Sequence, residues 1–281
     1  MNSVRIVADD GCDLSPALAA EYQVEIVPVF VRFGEEMLSS QELSLAEFWA
    51  RAANSLRPPA TSAAGPGAFY EVFHKLVSAG HEVVCLTLPS LYSTSFNSAW
   101  VAAQEFEGRV RVVDSRSFSL GMGLEVIYAA RDALAGCGAD AIQVMLEDLR
   151  SRTSVIFALD TLEWVRRGGR LALLLPLVDR VARTLSVKPV IEFHNGEFHL
   201  LGATRSAQGA LQRIEDEVRA RIPLEGVAAA YTRGCQTASE MAAHLASLVE
   251  LKQGEVLITE AGAVFAVHAG PRALGAALIR A

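Results

Sequence analysis

Short apolar runs alternating with helix-start signals constrain the fold of this 281-residue chain more than any other feature. Val4-Arg5-Ile6-Val7-Ala8 reads as a strand that stops at Asp9-Asp10-Gly11, and Ser15 before Pro16 is an N-cap with proline at the first helical position. Glu25 to Val31 predicts a second strand, and Ser44 with Glu47 forms a capping box for a helix toward Leu56. Arg57 to Gly65 reads as a stiff loop, and Pro66 opens a helix that closes at Gly80. A buried strand from Glu82 to Leu88, a serine-rich turn and a helix toward Phe106 follow, then a strand from Arg109 to Val113. Helices are predicted over Gly121 to Ala135 and Asp140 to Arg150. This alternation predicts an α/β layer on a mostly parallel sheet.

Beyond Arg152 the pattern changes. Ser154 to Ala158 is strand-like, and Thr161 caps a short helix that ends at Gly168-Gly169. Asn195-Gly196 between apolar runs, Ser186 to Phe193 and Phe198 to Leu201, is a hairpin signal, because Asn-Gly suits a type I′ turn. A helix from Ser206 to Arg221, a strand from Val227 to Tyr231 and a helix through Leu248 come next. Val256 to Thr259 and Val264 to Val267 read as the last strands, and Arg272 to Ile279 as a helix. The chain thus divides into an N-terminal α/β domain over 1–152 and a C-terminal α+β domain with a hairpin-containing sheet over 153–281.

Composition removes several classes of function. The net charge of −7 argues against non-specific binding to nucleic acid, which needs a basic face. No run approaches the roughly 18 apolar residues of a membrane span, so contact with a membrane would be transient and at its surface. Asp9 and Asp10, after only five strand residues, do not fit a signal peptide, and four scattered cysteines without a CxxC pair suit reduced thiols in a cytoplasmic protein. There is no GxxxxGK[ST] phosphate loop, dinucleotide fingerprint, GxSxG elbow or HExxH pair. His194 and His199 flank the hairpin turn, where solvated polar residues are the ordinary case, and no metal or cofactor is predicted.

The stretch from Leu88 to Ala99 carries the strongest functional signal. Five hydroxyls lie between Ser90 and Ser98, where the first turn of a helix leaves N–H groups without partners. Hydroxyl donors, free amides and the positive end of a helix dipole together suit an anion. A serine that only caps the helix explains the same residues.

Several separated motifs resemble one family. Thr61-Ser62 before Gly65-Pro66-Gly67 is similar to the Thr-Ser-x-Pro-Ser loop of the DegV family, and Ser93-Thr94-Ser95-Phe96-Asn97-Ser98-Ala99 to its Ser-Gly-Thr-Tyr-Gln-Ser-Ala segment. Val113-Asp114-Ser115 with Ser119, Gly121 and Gly123 resembles its DSxxxSxGxG run, and Phe157 to Arg170 its block ending in Gly-Gly-Arg. Lys188-Pro189, Arg205 and His268-Ala269-Gly270-Pro271 complete the order. Thr94 stands where the family has glycine, Ser95 where it has threonine, Phe96 where it has tyrosine, and Arg272 where Gly-Pro-Gly would end.

The resemblance implies two α/β domains with a lipid tunnel between them. It implies a non-catalytic carrier that holds a long-chain fatty acid for a separate ATP-binding kinase subunit, which phosphorylates the carboxylate to an acyl phosphate. Carried over by position, Thr61 and Ser93, with Ser62 and Thr94 beside them, hold the carboxylate. Arg170, Arg205 and His268 lie near the head group or the kinase. A lipid-responsive regulatory or transport module with no kinase partner is the alternative. A serine hydrolase using Ser93 with His268 ranks last.

Overall fold

The computed structural model describes residues 3–55, 57–167, 187–248 and 256–281. Strands β1 (Val4–Asp9) and β2 (Glu25–Val27) pair in parallel around α1 (Pro16–Glu21), where Leu18 N donates to Ser15 Oγ at 3.2 Å. The strand expected from Glu25 to Val31 is two strands in two sheets. Pro28 offers no ladder donor, and beyond it β3 (Phe30–Phe33) pairs antiparallel with β4 (Glu36–Ser39) and β5 (Ala60–Ser62). β5 lies inside the stretch expected to be a loop, because three residues are too few to show a period. The capping serine of α2 (Leu45–Asn54) accepts as predicted, from Glu47 N at 3.2 Å.

Helix α3 (Pro66–Ser78) leads to β6 (Glu82–Thr87), and α4 (Ser95–Ala103) to β7 (Val110–Asp114). The first sheet runs β2-β1-β6-β7, parallel throughout. Both its faces are covered, so its strands are apolar without alternation. Ile6, Ala8, Val84 and Leu86 pack in the core that includes α5 (Ser119–Leu134) and α6 (Ala139–Arg152). Val7, Val83 and Cys85 face the other way, with Phe69, Phe73 and Ala99 of α3 and α4.

The strands of the second sheet are β8 (Thr153–Ala158), β9 (Lys188–His194), β10 (Glu197–Thr204), β11 (Leu224–Tyr231), β12 (Leu257–Glu260) and β13 (Leu274–Arg280). Their order is β10-β9-β8-β13-β11-β12, antiparallel except for β11 with β12. The Asn195-Gly196 turn has φ of 49° and 84°, the two positive values a type I′ turn requires. The helices described here are α7 (Glu163–Arg167), α8 (Ala207–Arg219), α9 (Ala238–Leu248) and α10 (Ala263–Ala269).

Two assignments near the C-terminus are reversed. Val264 to Val267 belongs to α10, and Leu274 to Arg280 is a central strand rather than a helix. All of β13 except Arg280 is buried between β8 and β11, so its apolar run shows no alternation, and only the flanking strands distinguish it from a buried helix. On α10, Ala263, Ala266 and Val267 recur at helical spacing and pack against Val31, Phe48 and Trp49.

One core cluster contains residues of both sheets, with α5 between them. A Cβ on Gly123 would lie 2.6 Å from the carbonyl oxygen of Cys12, and one on Gly121 would lie 2.4 Å from Val155 Cγ2 of β8. Both glycines are therefore required for this close approach. Gly123→Ala should cost about 1–3 kcal/mol, because a backbone carbonyl cannot move aside cheaply. Gly67→Ala, a helical position with open space around it, should instead stabilise by about 0.4–1 kcal/mol. Urea unfolding of the two variants reads this difference in sign.

Candidate functional site

The turns that leave the C-terminal ends of β1 and β6 meet the second sheet around a cavity of about 80 Å³. Ligands of parallel sheets gather at such strand ends. Gly11, Leu88, Pro89, Tyr92 and Ser93 come from those turns, with Val29 and Thr61 beside them. Phe118 and Ser119 come from the start of α5, Phe193 and Phe198 from the hairpin, and Val264, Phe265 and His268 from α10. Phe118 stacks on Phe265 with centroids 5.5 Å apart, and Phe193 and Phe198 approach to 4.5 Å. Phe118, Ser119 and Phe265 also line a second, narrow space of about 10 Å³, walled otherwise by Leu120, Val155, Phe157, Ala230, Gly275, Ala276 and Ala277. Together the two spaces offer an aromatic and aliphatic lining with a few polar groups.

Thr61, Ser93 and His268 line the same cavity from three distant parts of the chain. Thr61 Oγ1 and His268 Nε2 are 3.0 Å apart. Ser93 Oγ accepts from Ser95 N at 3.2 Å and lies 3.0 Å from Ser95 Oγ, so Ser93 serves the first amide of α4 while lining the cavity. Ser62 follows Thr61 on β5 and therefore points to the opposite face of the strand. Thr94 is exposed, with φ −83° and ψ 0°, and its hydroxyl makes no cap bond. An L residue adopts that backbone readily, so the position does not require glycine.

Arg205 is exposed in the bend between β10 and α8, roughly 20 Å of extended chain from Phe198. Its neighbour Thr204 pairs with Lys188, away from the hairpin turn. Arg170, with Gly168-Gly169, lies outside the described residues. Arg272 has φ 58° and pairs with Asp160, so at this departure from the family an arginine occupies left-handed backbone that favours glycine.

Two buried carboxyls lie behind the cavity lining: Asp9, which the sequence marks only as the end of a strand, and Asp13, for which it gives no signal. Asp9 accepts from Gly11 N at 3.0 Å and Leu88 N at 2.8 Å, which ties the ends of β1 and β6 together. Burial pushes its pKa up to about 6 against those hydrogen bonds. Asp13 accepts from Ser119 Oγ at 2.5 Å and Gly262 N at 2.9 Å, joining the β1 turn to α5 and to the N-cap of α10. Burial raises it to about 7. The aromatic wall was also missed, since Tyr92, Phe118, Phe198 and Phe265 share no spacing along the chain. Ser119 stood within a quoted motif, but nothing in the sequence linked it to Asp13.

A carboxyl whose folded pKa lies above its unfolded value binds protons more tightly in the folded state. Its contribution to stability is present below pH 4 and is lost as pH rises toward 7. Asn can keep both contacts of Asp13, accepting from Gly262 N and donating to Ser119 Oγ. Between pH 4 and pH 8, Asp13→Asn should therefore gain on the wild type by up to about 4 kcal/mol. Urea unfolding at several pH values measures the gain.

A family model described as "Uncharacterised protein, DegV family" matches residues 3–281. A DegV domain-containing protein of Deinococcus radiodurans is 32% identical over 278 residues, covering 98% of each chain. Another from Streptomyces coelicolor is 30% identical over 276 residues, covering 97% of this chain and 96% of its own. Among solved structures, a DegV family protein from Thermus thermophilus described by its fatty acid binding superposes with a TM-score of 0.86 at 28% identity, covering 99% of this chain and all of that one. A stearic acid-binding protein from Eubacterium ventriosum gives a TM-score of 0.85 at 26% identity, covering 100% of this chain and 98% of its own. The fatty acid kinase B3 protein of Streptococcus pneumoniae, loaded with linoleic acid, shares the fold at a TM-score of 0.85 and 18% identity, covering 99% of this chain and 100% of that one. By its sequence match and its mixed α/β architecture, the chain belongs to the DegV family.

Proposed function

We propose that the chain binds a long-chain fatty acid in this cavity and presents its carboxylate to a separate ATP-dependent kinase subunit, which converts it to an acyl phosphate. The observation that carries this reading is the convergence of Thr61, Ser93 and His268 on one mostly apolar, aromatic cavity. Fatty acid binding by the Thermus and Eubacterium relatives supports the ligand class. The shared fold of the Streptococcus kinase protein supports the partner. In this reading the acid lies with its carboxylate toward the three polar groups. Its tail runs past Phe118 and Phe265 toward Val155 and Gly275.

The two ends of the ligand contribute differently. Burying a methylene is worth about 0.8 kcal/mol, so roughly 14 of them give up to about 11 kcal/mol before the costs of association. Each hydrogen bond to the carboxylate adds about 1.5–3 kcal/mol. The tail therefore supplies most of the affinity, and Thr61 and Ser93 mainly orient the head. Hydroxyl and imidazole donors leave a carboxylate oxygen able to attack the terminal phosphorus of ATP held by the partner, with ADP as the leaving group.

In the serine hydrolase alternative, His268 would act as base to Ser93. In the structure Thr61 meets His268 Nε2 and Ser95 engages Ser93, which favours head-group holding over nucleophile activation.

Native mass spectrometry of the protein purified from cells should show a bound acid in the long-chain range; a protein that is always empty refutes the carrier. With the cognate kinase supplied, Thr61→Ala combined with Ser93→Ala should slow acyl-phosphate formation about a hundredfold, with a smaller loss of palmitate affinity. Equal rates in wild type and double variant would remove the orienting role. Absence of acyl phosphate even in the wild type would favour the regulatory alternative.

A further inference from the structure

Ser119 is one of the few polar residues of the cavity, and it lines both compartments. Its single hydroxyl proton lies on the 2.5 Å bond to Asp13 Oδ2, while Gly262 N–H takes Oδ1. An ionised carboxylate can only accept hydrogen bonds, so Ser119 must donate to it. In that state Ser119 offers the cavity only a lone pair, which repels an anion. A protonated Asp13 carries a donor of its own. It can donate to Ser119, accept from Gly262 N–H as before, and release the Ser119 hydroxyl to donate into the cavity.

We propose that Asp13 takes up a proton when the cavity receives a carboxylate, and that Ser119 relays this by turning its hydroxyl from Asp13 toward the ligand. The inference rests on the fatty-acid reading and deepens it, because the acid then enters as a carboxylate plus one proton. No bond other than O–H is made or broken: one proton leaves solvent and ends on Asp13.

The surroundings of Asp13 favour the exchange. Asp10, in the same turn, faces it with a second carboxyl and pushes it toward the neutral form, as burial does. The Cys12 thiol beside it is pushed further from ionisation by burial and the nearby aspartates, so it supplies no competing charge near neutral pH. From α5 and α10 its hydrogen-bond partners are the neutral Ser119 and Gly262. A carboxyl poised at about 7 is easily tipped by a second anion arriving in the cavity. Asp9, poised lower at about 6, and Asp10, also pushed up by burial, are the other carboxyls of the turn able to take up the proton, and the His268 imidazole faces the same cavity.

Isothermal titration of laurate into the lipid-stripped full chain, at pH 7.5 in phosphate and in Tris, counts the protons taken up. The wild type should take up between about 0.5 and 1 proton per laurate, and its affinity should weaken about twentyfold from pH 6.5 to 8.5. Asp13→Asn, which holds Ser119 permanently in the turned state, should take up fewer than about 0.2 protons and lose that pH dependence. Ser119→Ala removes a donor to the ionised form, so Asp13 is already protonated and uptake should fall as well. Laurate binding without proton uptake in the wild type, or with uptake undiminished in Asp13→Asn, overturns the inference and leaves the fatty-acid reading standing. No laurate binding by the wild type overturns both.

Discussion

The seating of α5 between the two sheets is the constraint on which the site depends. Gly123 lies against the Cys12 carbonyl on one side and Gly121 against Val155 on the other, so the helix start is held at the junction of the sheets. That position puts Phe118 and Ser119 into the cavity wall from a helix that packs on both sheets. Ser119 itself has φ 49°, outside the usual helical range, and its bond to Asp13 helps hold the turn there. Strain of this kind at a cavity wall persists only where surrounding contacts over-determine it.

The second consequence is electrostatic. The cavity proposed to hold an anion lies against Asp9 and Asp13, two buried carboxyls with raised pKa. Both knit backbone segments together: Asp9 joins the ends of β1 and β6, and Asp13 joins α5 to the start of α10. Their hydrogen bonds are structural, and their charge works against an anionic ligand unless they are neutral. A head group would then rest on hydroxyls and an imidazole rather than on a buried cation. Such contacts orient a carboxylate without locking it away from reaction.

Much of the fold was legible because its signals are local. Ser15-Pro16, Ser44 with Glu47, and Asn195-Gly196 each declare a cap or a turn through their own side chains and backbone, and each does so in the structure. The misread segments are those whose identity comes from a neighbour. β5 is a strand because β3 lies beside it, and β13 is a strand because β8 and β11 flank it. α10 is a helix because Val31, Phe48 and Trp49 cover one of its faces. Thr94, where the family has glycine, has negative φ that any L residue can adopt, whereas Arg272 occupies the left-handed region.

The sequence by itself determined the family, the parallel first sheet and the segments bearing Thr61 and Ser93, because motif order, apolar runs and cap residues are written along the chain. Tertiary structure alone decided that Thr61, Ser93 and His268 share one cavity, that Ser62 and Thr94 do not line it, and that Asp13 answers to Ser119. Those facts depend on strand pairing, side-chain direction and burial between residues up to two hundred positions apart. Local propensity carries no record of such distances, and only the packed molecule fixes them.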